Sequence, residues 1–161
     1  MATVTHQWLA MDTDVGSSNI PEFVLIQGTN NPVTGVAFST ANQAIFRTFV
    51  ANDYGSGNLT VKLGWYSRSG STSSTTTWGA AIQCITPGDA QSVETDAFAT
   101  ETTQATTVNG TAKGLTETSI TVSNLDSIAA GDTVTLRIRM TAKGMTGDAI
   151  LETITLSYSS T

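Results

Sequence analysis

The side chains that could act as a base or nucleophile near neutral pH are few. The chain has one histidine, His6, and one cysteine, Cys84. General-base catalysis needs a base held within hydrogen-bond reach of the proton it takes, usually oriented by a third group. His6 lies close to the N-terminus, where order is least assured, so a catalytic role is not expected of it. Cys84 alternates with Trp78, Ala80 and Ile82, which points it inward as a small buried hydrophobe. A reactive thiolate would need a cation or a helix N-terminus beside it, and nothing near Cys84 in sequence supplies one.

Carboxylates are the other chemical resource. Asp12 and Asp14 flank Thr13 and could give two oxygens to calcium, while Asp53, Asp132 and Asp148 fall in turn-like segments. Calcium takes six to eight oxygens in a cage, and the EF-hand spacing is absent, so these aspartates are read as turn formers and no metal is expected. Glycoside hydrolysis needs two carboxyl groups about 5–10 Å apart across a cleft. Glu94, Asp96, Glu101, Glu117 and Glu152 are candidates that spacing alone cannot pair. The glycines of Asn52 to Asn58 lack the lysine and following helix of a phosphate loop. The expectation is a chain with no catalytic set and no cofactor.

Charge narrows the partners. Seven Lys+Arg stand against 13 Asp+Glu, net −6, and charged residues are only 12% of the 161. An average domain has about 25%, so this surface is built from something else. Threonine fills 30 positions, a β-branched residue suited to the wet face of a strand. An acidic chain without a basic cluster would be repelled by phosphate backbones, so nucleic-acid binding is not expected. The N-terminus lacks the basic start and apolar run of a signal peptide, and no stretch approaches the roughly 18 apolar residues of a membrane span. A soluble protein without a standard export signal is therefore expected. A lone cysteine fits a reducing cytoplasm.

The elements that must position these residues are strands. Leu59, Val61, Leu63 and Trp65 alternate with polar or small residues, as do Val134, Leu136, Ile138 and Met140, and Ile154, Leu156 and Tyr158. Period-two alternation reads as a strand with one dry and one wet face. Further strands are expected at Thr3–Leu9, Phe23–Ile26, Ala44–Val50, Trp78–Cys84 and Ser119–Val122. Turns fall at Asn52–Asn58, Pro87–Asp89, Asn109-Gly110, Ala130–Asp132 and Gly144–Asp148, and a Ser/Thr-rich linker runs from Arg68 to Thr77. A long irregular stretch covers roughly residues 87 to 114, with at most one helical turn at Asp89–Val93. About eight short strands with Gly-rich turns indicate an all-β, antiparallel two-sheet sandwich, with a jelly-roll favoured. Residues 41–161 form that domain, and 1–40 are an N-terminal arm or edge strands that can belong to the sandwich. Trp65, Trp78, Leu136, Ile138 and Leu156 are the expected core anchors.

Four segments carry a family resemblance. They are Phe46–Leu59; Leu59–Trp65 with its linker into Trp78-Gly79; Thr86–Ala90 continuing to Asp96–Ala99; and Ala129–Arg139 leading to Gly147–Leu151. Together they resemble small jelly-roll structural proteins of tailed bacteriophages, of the capsid decoration (cement) type. Members often have proline where this chain has Ala51-Asn52-Asp53, and an aspartate-rich turn where it has Lys143 to Thr146. The resemblance implies a virion structural protein and not an enzyme: a homotrimer bound to the major capsid protein on the phage head, assembled in the host bacterial cytoplasm. A Thr/Ser-rich, weakly charged surface suits such docking, and closed threefold rings protect sheet edges. The other reading is a receptor- or carbohydrate-binding module of a tail fibre. That reading needs an exposed aromatic platform, for which Trp8, Tyr54 and Tyr66 are the candidates.

Overall fold

The computed structural model describes residues 2–69 and 74–161. Its strands, in chain order, are β1 (Thr3–Leu9), β2 (Asp14–Val15), β3 (Glu22–Ile26), β4 (Val33–Phe38), β5 (Ala44–Val50), β6 (Tyr54–Ser67), β7 (Thr75–Ile85), β8 (Thr102–Thr107), β9 (Leu115–Val122), β10 (Thr133–Lys143) and β11 (Ala149–Ser160). A 3-10 turn, Ala10–Asp12, links β1 to β2. One sheet has the order β3-β4-β11-β6-β9 with β1 also on β11; the other has the order β2-β5-β10-β7-β8. The two antiparallel sheets pack face to face as a jelly-roll sandwich. Residues 3–38 supply β1 to β4, all hydrogen-bonded into the sheets.

Alternation explains the core. Val134, Leu136, Ile138 and Met140 of β10 meet Trp78, Ala80, Ile82 and Cys84 of β7 in register, all turned inward. Facing them are Leu59, Val61, Leu63 and Trp65 of β6 and Ile154, Leu156 and Tyr158 of β11. Trp65, Trp78, Leu136, Ile138 and Leu156 are all fully buried. Phe38 meets Trp78 edge-on at 4.9 Å, and Trp65 lies 5.7 Å from Trp78. The indole N–H of Trp65 donates to Thr118 Oγ1 at 2.9 Å, and that hydroxyl donates to Thr106 at 2.8 Å. A buried polar group thus finds its partner in a threonine chain that crosses from β9 to β8.

Three strands depart from the sequence reading. β2 has two residues, too few for a pattern. β4 carries Gly35, whose missing side chain lets the strand lie against Leu151 and Ile150 of β11. β8 is Thr-Thr-Gln-Ala-Thr-Thr, polar or small on both faces, and falls inside the stretch expected to be irregular. The expected Arg68–Thr77 linker is shorter than its sequence suggests, since Thr75–Thr77 belong to β7; residues 70–73 lie outside the described residues.

The segment from Thr86 to Glu101 straps across the outer face of the second sheet. Ala99 N–H donates to the Ile82 carbonyl at 2.8 Å, and the Gln83 amide donates to the Asp96 carbonyl at 2.8 Å. Phe98 stacks under the Arg137 guanidinium at 4.6 Å and lies 5.9 Å from Phe46. Glu101 then accepts from Arg139 Nε at 3.1 Å and pairs with Arg137 at 3.6 Å. Its carboxyl rests on Gly79, where any Cβ would collide with it. A nearly buried carboxylate held by two arginines is costly to strand alone.

Two outcomes are expected. Leu136→Ala, at a site with no exposure, should lower unfolding free energy by about 2–5 kcal/mol in urea titration. Glu101→Gln should cost about 3 kcal/mol in the same assay, since it leaves Arg137 and Arg139 charged without their counter-ion.

Candidate functional site

The cleft of interest forms where β1 ends beside β11. Gln7 sits opposite Thr155, and Leu9 opposite Thr153, so these four side chains share the outer face of the first sheet. Asp12, brought round by the 3-10 turn, closes one end, and its carboxylate accepts the Leu9 N–H at 3.3 Å. Trp8 and Ile154 complete the lining of a concavity of about 350 Å³. That volume is at the low end for small-molecule sites, roughly 300–1,000 Å³. Gly64 on β6 contributes by absence of bulk, since a Cβ there would collide with the Thr153 hydroxyl.

Trp8 is half-buried and firmly held. Its ring stacks on His6 at 5.6 Å and 10°, lies 5.8 Å from Phe49, and has the Arg47 guanidinium 5.7 Å from its centroid. Arg47 Nη1 also donates to the Asp12 carbonyl at 2.6 Å, tying β5 to the 3-10 turn. The cleft therefore joins amide, hydroxyl and carboxylate groups with apolar surface from Leu9, while the Trp8 ring lies on the other side of β1 against Phe49. No Lys or Arg is among its lining residues. Such a lining suits a hydroxyl-rich, uncharged ligand with apolar C–H faces.

Of the three aromatics expected to form an exposed platform, only Trp8 keeps part of its surface, and its ring lies on the core-facing side of β1 against Phe49. Tyr66 is 3% exposed and Tyr54 is 9% exposed. Tyr66 does point to the outer face, but Ile26, Ala37 and Ile150 form a second apolar cluster around it. Its phenol is pushed up to about 12, mainly by burial, with Glu152 adding and Arg68 opposing. Tyr54 begins β6 instead of lying in a loop, packs 5.8 Å from Tyr158, and donates to the Gly57 carbonyl at 2.7 Å. The sheet curls over one ring and strand pairing captures the other.

The remaining candidates do structural work. His6 Nε2 lies 3.1 Å from the Tyr158 hydroxyl, which itself donates to Asp53 at 3.1 Å. Asp132 is buried and accepts from Thr86 Oγ1 at 2.9 Å and the Ala129 N–H at 2.7 Å, fixing a turn. Asp148 pairs with Arg68 at 3.6 Å and Glu117 with Lys62 at 3.3 Å. Asp14 lies in β2, Glu94 in the strap, and Glu152 at an irregularity in β11. Among the described residues no three His, Cys, Asp or Glu side chains converge as metal ligands. The pairing of Glu101 with two arginines was missed, although Arg137 and Arg139, two apart on one strand face, carried the signal.

Comparisons with known proteins bear on the fold. No protein-family model matches the sequence, and no curated protein matches it either. Solved structures do match. The CBM36-1 domain of a multidomain xylanase from the hindgut metagenome of Trinervitermes trinervoides aligns with a TM-score of 0.55 at 16% identity, covering 98% of this chain and 100% of that one. The carbohydrate-binding module CBM6cm-2 from Cellvibrio mixtus lichenase 5A, in complex with cellotriose, aligns at 0.56 and 17%, covering 96% and 97%. A β-1,3-glucan binding CBM6 from Bacillus halodurans aligns at 0.54 and 7%, covering 92% of each. The chain has the jelly-roll architecture of carbohydrate-binding modules.

These neighbours overturn the expected capsid decoration role and the major capsid protein as partner. They are modules whose ligands are carbohydrates. The misleading segments are built from strands and turns: Phe46–Leu59 runs from β5 through a turn into β6, and Ala129–Arg139 is a turn leading into β10. Any sandwich reuses alternating strands closed by Gly/Asn/Asp turns, so such likeness reports the demands of the fold and not a shared role.

Cys84 gives the prediction here. Burial pushes its thiol up to about 12, with Asp126, Asp132 and Asp96 adding to the effect. The folded chain should resist thiol-alkylating reagents at pH 8 and react at once in denaturant, read by mass spectrometry. The neutral thiol's contribution to stability is fully present below its ordinary value of 9.0 and is lost as pH rises toward about 12. Chemical-denaturation midpoints should fall accordingly above about pH 9, less so in Cys84→Ala.

Proposed function

We propose that this domain binds a neutral carbohydrate chain without catalysing its cleavage. The observation that carries the reading is the fold match to carbohydrate-binding modules over nearly the full length of both chains. The β1–β11 cleft supports it with suitable chemistry. Hydroxyl-rich ligands are recognised by a few placed polar groups on an otherwise apolar wall. Gln7, Asp12, Thr153 and Thr155 supply the polar groups, and Leu9 supplies the apolar wall. Arg47 ties the 3-10 turn that carries Asp12 to β5 before any ligand arrives, which limits the ordering cost of binding. The carboxylates most exposed to solvent are dispersed over separate loops and strands, so the reading assigns no acid/base pair.

Affinity gel electrophoresis and calorimetry with soluble β-glucans, xylans and their oligosaccharides test this. Retardation by at least one of these neutral glycans is expected, with no release of reducing sugar. Leu9→Ala and Gln7→Ala should each weaken binding about tenfold or more, a loss of about 1.4 kcal/mol or more. Absence of binding to every such glycan, or unchanged binding in both variants, overturns the reading.

A further inference from the structure

Sheet edges are open rows of backbone donors and acceptors, and proteins usually blunt them with charge, brevity or cover. Among the described residues five strands lie at sheet edges, and four of them are short, carry charge or present a mainly polar row. β2 has two residues, and β8 is Thr-Thr-Gln-Ala-Thr-Thr. β9 carries Glu117 in its exposed row, bridged to Lys62. β1 presents Thr3, Thr5 and Gln7 outward, with Leu9 exposed at its end.

β3 is different. It pairs only with β4, and among the described residues its other edge makes no backbone hydrogen bond. Its sequence is Glu-Phe-Val-Leu-Ile, with Phe23 42% and Leu25 60% exposed. Phe23 sits opposite Val36, so both side chains lie on the core-facing side of the sheet, yet β3 lies too far out to be covered. Its one charge, Glu22, is at its start.

We propose that β3 pairs antiparallel with β3 of a second copy of this chain, about a twofold axis through Val24. The strand is self-complementary in that register. Val24 meets Val24, Phe23 meets Leu25 of the other copy, and Glu22 meets Ile26. Like charges never face each other, and two Phe–Leu pairs cover the apolar surface that each copy leaves open. No other antiparallel register of two β3 strands keeps all five residues paired. The twofold is perpendicular to the sheet, so the sheet continues from one copy to the next and the two β1–β11 clefts face the same side. A strand pair of five residues is a small interface, of the weak class below roughly 1,200 Å², so the association is concentration-dependent.

Sedimentation velocity over a concentration series, without glycan, tests the dimer independently of the binding reading. Wild type should shift from monomer to dimer within the micromolar-to-millimolar range. Leu25→Lys should stay monomeric throughout with an unchanged melting temperature, because Leu25 makes little use of its side chain in the monomer. The double variant Phe23→Lys with Leu25→Glu places opposite charges across both pairs and should dimerise again. A wild type that is monomeric at every concentration, a dimer that persists in Leu25→Lys, or a double variant that stays monomeric would overturn the proposal.

Discussion

Strand β11 has to satisfy three neighbours at once, and most of the architecture follows from how it does so. β6 runs along one side of it from Ala149 to Ser160. The other side is shared: β4 takes Ala149–Leu151, and β1 takes Thr153–Ser159. The changeover falls at Glu152, where the register with β6 also slips. A β-bulge of this kind inserts one residue and reverses the phase of alternation. Ala149 and Leu151 face the core before it, and Ile154, Leu156 and Tyr158 face the core after it. Without the slip, one half of β11 would present its apolar residues to solvent.

The cleft is a by-product of that shared edge. β1 must stop where β4 begins, and the chain leaves the first sheet through the 3-10 turn to reach β2. Ala10 is fully buried at the crossing, and Thr13 donates to its carbonyl at 2.6 Å. The departure leaves a hollow between the end of β1 and β11, walled by side chains that register already aligns. Rigid strands therefore hold the polar groups, and the jelly-roll scaffold needs no rearrangement to present them. Charged groups elsewhere are committed to holding the scaffold: Glu101 fastens the strap, Arg47 fastens the 3-10 turn, and Asp132 fastens a turn.

Strand alternation was legible wherever one face is dry. The β6, β10 and β11 patterns identify both the strands and the anchors Trp65, Leu136 and Leu156. Legibility failed where burial does not depend on alternation. β8 is held by its backbone ladder to β7 and shows no apolar stripe. β4 needs a glycine because it lies close to β11. Tyr66 was assigned to the correct face, but a face called wet by its alternation can be dried locally by neighbouring strands. The cleft depends on Gln7, Asp12, Thr153 and Thr155, residues about 140 positions apart whose convergence is a matter of topology. Of these only Asp12 stood out beforehand, as one of two carboxylates flanking Thr13.

The pairing of β1 with β11 also decides how the domain would respond to force. Thr3 lies opposite Ser159, and the Ser160 N–H donates to the Ala2 carbonyl at 2.9 Å. The two ends of the described chain are thus side by side on adjacent antiparallel strands. Tension applied between them would load one hydrogen-bonded rung at a time, peeling the strands like a zip instead of shearing all rungs together. The peel would start at Thr3 and reach Leu9 and the cleft last. A domain tethered at both ends would yield at small loads by shedding β1, whereas one tethered at a single end and pulled through a ligand in the cleft would share the load across the whole sheet.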